Sequence, residues 1–237
     1  MTEPNPRVAV PAKQRIRQAF DQAASTYDAA ADVQREVCDR LGTYLTESGI
    51  NLAPAAILDA GCGTGYGVRW LAQRWLQARL VLIDFAPSML ATARARCVGA
   101  ELICADIEAL PVRERSFDLY WSSLAWQWNN PWRCLAESKR VLKPGGALAV
   151  ATLGANNFPE LRQAFAEVDD YNHVLTIPAP EQLLEDCQAD GWQVQVWRRQ
   201  PVRRYYPDLR TLLRSVKEVG AREVEQRRPT PFNRSAW

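Results

Sequence analysis

Ala56-Ile57-Leu58-Asp59-Ala60-Gly61-Cys62-Gly63-Thr64-Gly65-Tyr66-Gly67 runs from an apolar stretch into an acid and then into a glycine at every second position. Beyond it, Val68, Trp70, Leu71 and Trp75 recur at helical spacing. The order reads as a buried strand, a tight turn and a helix. Glycines let the chain take positive φ and let a ligand approach where a Cβ would collide, and the N–H groups opening the helix attract polar or anionic atoms. Spacing narrows the ligand. A pyrophosphate on the helix N-terminus favours G-x-G-x-x-G, whereas here Asp59 stands two residues before Gly61, where it would repel a phosphate and suit an ammonium.

This D-x-G-C-G-T-G turn is similar to motif I of class I S-adenosylmethionine (SAM) methyltransferases, in which the acid and the loop backbone hold the amino-acid end of SAM. The resemblance implies an α/β fold, a Rossmann-like three-layer sandwich with a mostly parallel sheet, and makes Asp59, Gly61, Cys62, Gly63 and Gly65 cofactor-binding candidates. Leu80-Val81-Leu82-Ile83 reads as a second buried strand ending at Asp84. A doubly wound fold places there, roughly 20 residues beyond the glycines, the carboxylate that accepts the ribose hydroxyls. Pro87 or Ser88 already supplies the next helix start, so Asp84 is assigned to the ribose, with Phe85 and Met89 beside it. Leu102-Ile103-Cys104 leads to Asp106 and Ile107, which match the family position that meets the adenine. After a fourth strand, Phe117 to Trp121, the segment Ser122-Ser123-Leu124 is expected to close over the cofactor, with Ser122 and Leu124 as contacts.

The composition suits one large α/β domain: 237 residues, 47% hydrophobic, net charge +2. Charge is uneven. From Arg198 onward eleven Lys and Arg stand against four Asp and Glu, leaving the remainder net acidic, so an acidic partner is expected at the C-terminal third. Six cysteines occur without a C-x-x-C pair and beside a single histidine. That pattern gives neither a zinc motif nor a disulfide framework, so no metal is expected. No apolar run approaches bilayer length and no signal core opens the chain. A cytoplasmic protein that binds neither membrane nor nucleic acid is expected.

Residues 1–11 read as a disordered leader and 12–50 as a helical cap of two helices. Ile16, Phe20, Ala23, Ala24 and Tyr27 fall at helical spacing, as do Val33, Val37, Leu41, Tyr44 and Leu45. Residues 51–237 form the SAM-binding domain, with helices on the substrate side at about 155–190 and 207–220. Pro131 to Val141 reads as a helix, Leu142 to Gly146 as a tight turn, Ala147 to Thr152 as a fifth strand and Trp192 to Arg198, which alternates, as a sixth.

The cap carries Phe20-Asp21-Gln22-Ala23-Ala24 and then Tyr27-Asp28-Ala29-Ala30-Ala31-Asp32-Val33-Gln34. This resembles the leader F-x-x-A-A-x-x-Y-D-x-x-A-x-x-Q of the malonyl-acyl carrier protein O-methyltransferases of biotin synthesis. Trp121-Ser122-Ser123-Leu124-Ala125-Trp126-Gln127-Trp128 resembles that family's W-S-N-L-A-x-Q-W, with Ser123 in place of asparagine. Thr152-Leu153 with Glu160-Leu161, and Leu213-Arg214 through Lys217 to Gly220-Ala221, are similar to two further family segments. Together they span about residues 15 to 222. Family members end in an apolar antiparallel seventh strand, which the residues after Ala221 do not resemble, so that strand is expected to be missing.

The resemblance implies transfer of the SAM methyl to the free carboxylate of a malonyl thioester, carried by acyl carrier protein or coenzyme A. A carboxylate is ionised at neutral pH and needs no general base, so His173 is not given that role. Tyr27 is the catalytic candidate, positioning either the malonyl or the SAM carboxylate, with a core tyrosine as the alternative. Trp126, Gln127 and Trp128 are substrate candidates; the tryptophans also suit a core. In the helix near the C-terminus, Leu209, Leu212, Leu213 and Val216 form the inward stripe. Arg210, Arg214 and Lys217 share the opposite face, either to receive an acidic carrier or as a solvated face. Two other readings stay open: another acceptor, such as a small molecule or RNA, or SAM binding without turnover.

Overall fold

A computed structural model describes residues 12–224. Its centre is a five-stranded parallel sheet: β1 (Ala56–Ala60), β2 (Arg79–Asp84), β3 (Glu101–Cys104), β4 (Phe117–Ser123) and β5 (Leu142–Ala151). The strand order is β3-β2-β1-β4-β5. Every residue of β1 is buried, as the apolar run requires of a strand covered on both faces. Alternation sends Ala56, Leu58 and Ala60 into the layer containing Cys134, Leu135 and Val141 of α6 (Pro131–Val141). Ile57 instead meets Cys38 and Leu41 of α3 (Asp32–Glu47) and Leu71 of α4 (Tyr66–Arg74). A third cluster joins Leu82 of β2 to Leu90 of α5 (Pro87–Arg96). Helices α3, α4 and α5 therefore cover one face of the sheet. Helix α6, backed by α8 (Pro180–Ala189), covers the other.

The order reverses between β1 and β4, so the crevice at their carboxyl ends is the switch point where doubly wound folds bind ligands. Over that crevice lies the cap: α1 (Lys13–Ala23), a single turn α2 (Tyr27–Ala30) and α3. The cap thus holds three helical pieces where two were expected. The break at residues 24–26 lets Thr26 bond the carbonyls of Ala23 and Glu218 and turns Tyr27 over the crevice.

Two expectations are corrected. The turn expected at Leu142 to Gly146 lies inside β5 as a bulge: Leu142 pairs with Phe117 but Ala147 with Leu119, and Gly145 takes φ 78°. Trp192 to Arg198 is not a strand. Trp192 packs on the α6–α8 layer, and the chain then crosses to the α3 layer on side-chain bonds. Arg199 pairs with Glu181 at 3.2 Å, Tyr44 donates to Gln200, and Arg204 pairs with Glu36. Alternation sets which way side chains point, but a strand also needs a ladder partner, and among the described residues β5 pairs only with β4. The segment where a seventh strand was expected to be missing lies mostly outside the described residues, as does the 1–11 leader. No helix among the described residues is long and apolar enough to cross a membrane.

Candidate active site

The crevice is a cavity of about 880 Å³ including its open mouth. Its floor is the turn after β1. Gly61 has φ 78°, and a Cβ there would lie 2.2 Å from Ala125 Cβ, so the β4 loop rests directly on the turn. Gly63 has φ 53°, and a Cβ there would meet nothing within 4 Å. That open space above backbone amides is what a close-lying ligand requires.

Asp84, at the end of β2, is 7% exposed. Its Oδ2 accepts from Gly63 N at 2.9 Å and its Oδ1 from Ala86 N at 2.9 Å. Burial pushes its pKa up to about 6, against the pull of these amides. Held this way, the carboxylate keeps lone pairs for two hydroxyl donors. Asp59, 3% exposed, lies beneath the turn, and burial, then the charge of Asp84, pushes it up to about 7.

At the other end of the crevice Asp106 Oδ1 accepts from Glu108 N at 3.0 Å and from Lys13 Nζ at 2.9 Å. Lys13 also pairs with Glu108 at 2.8 Å and bonds Asn129, which ties α1 to this end. Phe20 packs edge-on against Trp128 at 5.4 Å and tilted against Phe85 at 6.2 Å. Asp21 accepts from Ser88 N at 2.9 Å. Asp28 takes a bond of 2.7 Å from the Thr64 hydroxyl and pairs with Arg96. The cap is therefore held down by polar contacts at three places, Asp106 after β3, Ser88 of α5 and Thr64 of the floor.

Tyr27, Gly61, Cys62, Gly63 and Asp84 line the cavity together, as do Phe85, Met89, Asp106, Ile107, Leu124 and Trp128. Leu124 sits at φ 53°, a conformation non-glycine residues seldom take. Burial, and after it the charge of Asp84, raises the Tyr27 phenol above its ordinary pKa. Other candidates stand back from the cavity wall. Gly65 turns toward Cys97. Ser122 is wholly buried and donates to Ala60 O at 2.7 Å, because alternation turns it, like Tyr120, to the α6 face of the sheet, away from the cavity that Trp121 and Ser123 line. Trp126 is 2% exposed and packs edge-on against Tyr120. Gln127 Nε2 donates to Leu124 O at 2.7 Å, holding that strained residue. Arg210, Arg214 and Lys217 are exposed on α9 (Leu209–Glu218), outside the cavity.

Sequence reasoning left out Phe20, Gln34, Arg35, Ser123 and Asn129, all on the wall. Phe20, Gln34 and Ser123 were inside quoted motifs and carried that signal; Arg35 and Asn129 join the site only once the cap folds over the crevice. His173 lies outside the cavity wall, stacked on Phe165 and bonded to Asp169 at 2.8 Å.

The family description "Methyltransferase domain" matches residues 58–150. Over 228 residues the chain is 42% identical to the malonyl-acyl-carrier protein O-methyltransferase of Dechloromonas aromatica, covering 96% of this chain and 84% of that protein. The enzymes of the same name from Laribacter hongkongensis and Pseudescherichia vulneris are 40% and 38% identical, over 95% and 94% of this chain and 80% and 86% of their own. The chain belongs to this methyltransferase family. Among solved structures, the 4+2 cyclase SpnF superposes with a TM-score of 0.60 at 24% identity, over 78% of this chain and 74% of its own. That likeness speaks for the fold alone, which evidently serves more than one chemistry.

SAM is the methyl donor of class I methyltransferases, and the residues present fit it. The glycine floor leaves space over Gly63, Asp84 offers acceptors at the ribose position, and Asp59 and Asp84 give the floor a negative field for a ligand bearing a sulfonium and an ammonium. Among the described residues no group of His, Cys, Asp and Glu is placed to hold a metal ion.

Proposed function

We propose that this protein transfers the SAM methyl to the free carboxylate of a malonyl thioester, with acyl carrier protein as the carrier, giving the malonyl methyl ester. The observation that carries the reading is the capped crevice, acidic on its floor and roofed by the Tyr27-to-Gln34 leader, in a chain 42% identical to a malonyl-acyl-carrier protein O-methyltransferase. When bound, SAM supplies an electrophilic methyl on a sulfonium. The protein's part is alignment. Asp84 and Asp106 would hold the nucleoside at its two ends, the amides of the turn would meet the amino-acid end, and Tyr27 would orient a carboxylate from above. Alignment of this kind is worth on the order of 7–11 kcal/mol of the barrier, and closing a dry pocket favours a step in which opposite charges neutralise.

No proton is removed from the nucleophile, so the high pKa of Tyr27 suits it to donate a hydrogen bond and not to act as a base. Masking the acid in this way would turn the malonyl group into an ester-ended primer of the kind biotin synthesis needs. The test is transfer of labelled methyl to malonyl-acyl carrier protein, with the acetyl form as control. Transfer to the malonyl form alone is expected; transfer to neither, in a protein shown to bind SAM, overturns the reading.

A further inference from the structure

The charges on the cavity wall pose a difficulty for this reaction. Asp28, Asp84 and Asp106 line it and Asp59 lies beneath, which suits a cationic cofactor but repels an incoming carboxylate. Among the described residues one cationic side chain stands on that wall, Arg35 of α3. Arg35 also borders a second, open cleft on the outer side of α3, shared with Tyr66, Arg40, Tyr44 and Arg204. It stands where that cleft adjoins the cavity, and its charge reaches both the Tyr27 phenol, where it only partly offsets the rise caused by burial and Asp84, and the Asp28 carboxylate, where it adds to the lowering by Arg96.

We propose that Arg35 grips the free carboxylate of the malonyl group and that the cleft beside α3 is the way by which the thioester arm reaches the methyl. The proposal rests on the function read above and names its acceptor site. Arg35 donates through Nη1 to the carbonyl of Asp28 and through Nη2 to Asp32. The guanidinium carries five N–H donors in a planar fork, so these bonds leave others for a carboxylate. Asp32, its side chain 70% exposed, is a weak competitor for the fork. The backbone amides that open α4, whose Tyr66 and Gly67 line the cavity, would serve the cofactor's own carboxylate, with Asp59 beneath for the adjacent ammonium. Of the two carboxylates that must enter an acidic cavity, the malonyl one is left needing the cation. Tyr27, close enough to Arg35 to share its field, supplies a neutral second donor.

The test titrates S-adenosylhomocysteine-loaded protein with malonyl- and acetyl-acyl carrier protein. The native chain is expected to prefer the malonyl form by about tenfold or more, and Arg35→Gln, which keeps a donor toward Asp28, to reduce that preference to under about twofold. Arg35→Met is expected to do the same, so a folding defect in one variant leaves the other decisive. Affinities for S-adenosylhomocysteine and for 5′-methylthioadenosine, which lacks the amino-acid end, are expected to stay within about threefold. Retained malonyl preference in both variants overturns the role of Arg35 while leaving the function intact. Weakened binding of S-adenosylhomocysteine with unchanged 5′-methylthioadenosine also overturns it, by assigning Arg35 to the cofactor's carboxylate. Absence of any malonyl preference in the native chain removes the function and this proposal together.

Discussion

Asp84 and Asp59 show how one residue's environment sets a measurable property. Both are pushed up, to about 6 and about 7, because burial disfavours the charged form. Between the ordinary carboxylate range and these values the folded chain holds protons that the unfolded chain has released. The unliganded protein is therefore expected to lose stability as pH rises from about 4 to 7. Accepting bonds from ribose hydroxyls and pairing with an ammonium both require the ionised form, so SAM binding should release protons. Affinity measured by calorimetry should rise between pH 5.5 and 7.5, by about fourfold from Asp84 alone if its pKa is near 6. Asp84→Asn should lower SAM affinity tenfold or more and remove only the Asp84 share of that dependence, leaving the rise that ionisation of Asp59 contributes. A profile unchanged from the native one would show that Asp84 does not titrate on binding.

Gly61 makes the opposite kind of prediction, one of space. Its missing Cβ would meet Ala125 Cβ at 2.2 Å in a positive-φ conformation. Gly61→Ala should cost about 2–4 kcal/mol and lower the thermal midpoint by roughly 5–10 °C. Adding Ala125→Gly should restore part of the loss, which a double-mutant cycle would read as coupling.

Helices carry the partner question. In α9 the stripe of Leu209, Leu212, Leu213 and Val216 is only half covered, and no residue of the helix is fully buried. Its C-terminal end is fixed beside the cap, through the Thr26 hydroxyl on Glu218 O at 3.0 Å and through Gly220, which lies against Phe20. Arg210, Arg214 and Lys217 are thereby presented next to the roof of the cavity, a suitable place to steer an acidic carrier. Arg214→Ala with Lys217→Ala should raise the KM for malonyl-acyl carrier protein several-fold at low salt, less at high salt, and spare SAM affinity. An unchanged KM would reduce this face to a solvated one. The cap itself shows why three pieces form where periodicity gave two. The apolar spacing runs on through residues 24–26, but Thr26 bonds back to Ala23 O and Asp28 clamps onto Thr64, and the helix breaks between them.

On the scale of the whole molecule, the cofactor crevice joins cap, turn and β4 loop, so ligand binding should hold all three together. At 100 times its dissociation constant, SAM should stabilise the fold by about 2.7 kcal/mol and raise the thermal midpoint by roughly 5–10 °C. A melt that failed to shift would mean that the site does not bind SAM in the folded chain.

What the sequence determined by itself was whatever depends on near neighbours along the chain. Continuous apolar runs mark β1 and β2, glycine spacing marks the turn, and Pro131 to Val141 is a helix at both ends as read. The residues proposed for the cofactor stand at or just after the ends of such strands, Asp84 assigned from its place at the end of β2 and Asp106 from the family resemblance. The tertiary structure decided everything that needs a partner from far away. Trp192 to Arg198 alternates like a strand yet has no ladder. Ser122 sits within the W-S-S-L motif but turns to the α6 face of the sheet and bonds Ala60 O, while its neighbour Ser123 reaches the cavity. Arg35, inconspicuous in the chain, becomes the cation of an acidic cavity only once the cap folds over the crevice. Periodicity encodes the direction of a side chain, and what it meets depends on loops closed over tens of residues, which no local pattern records.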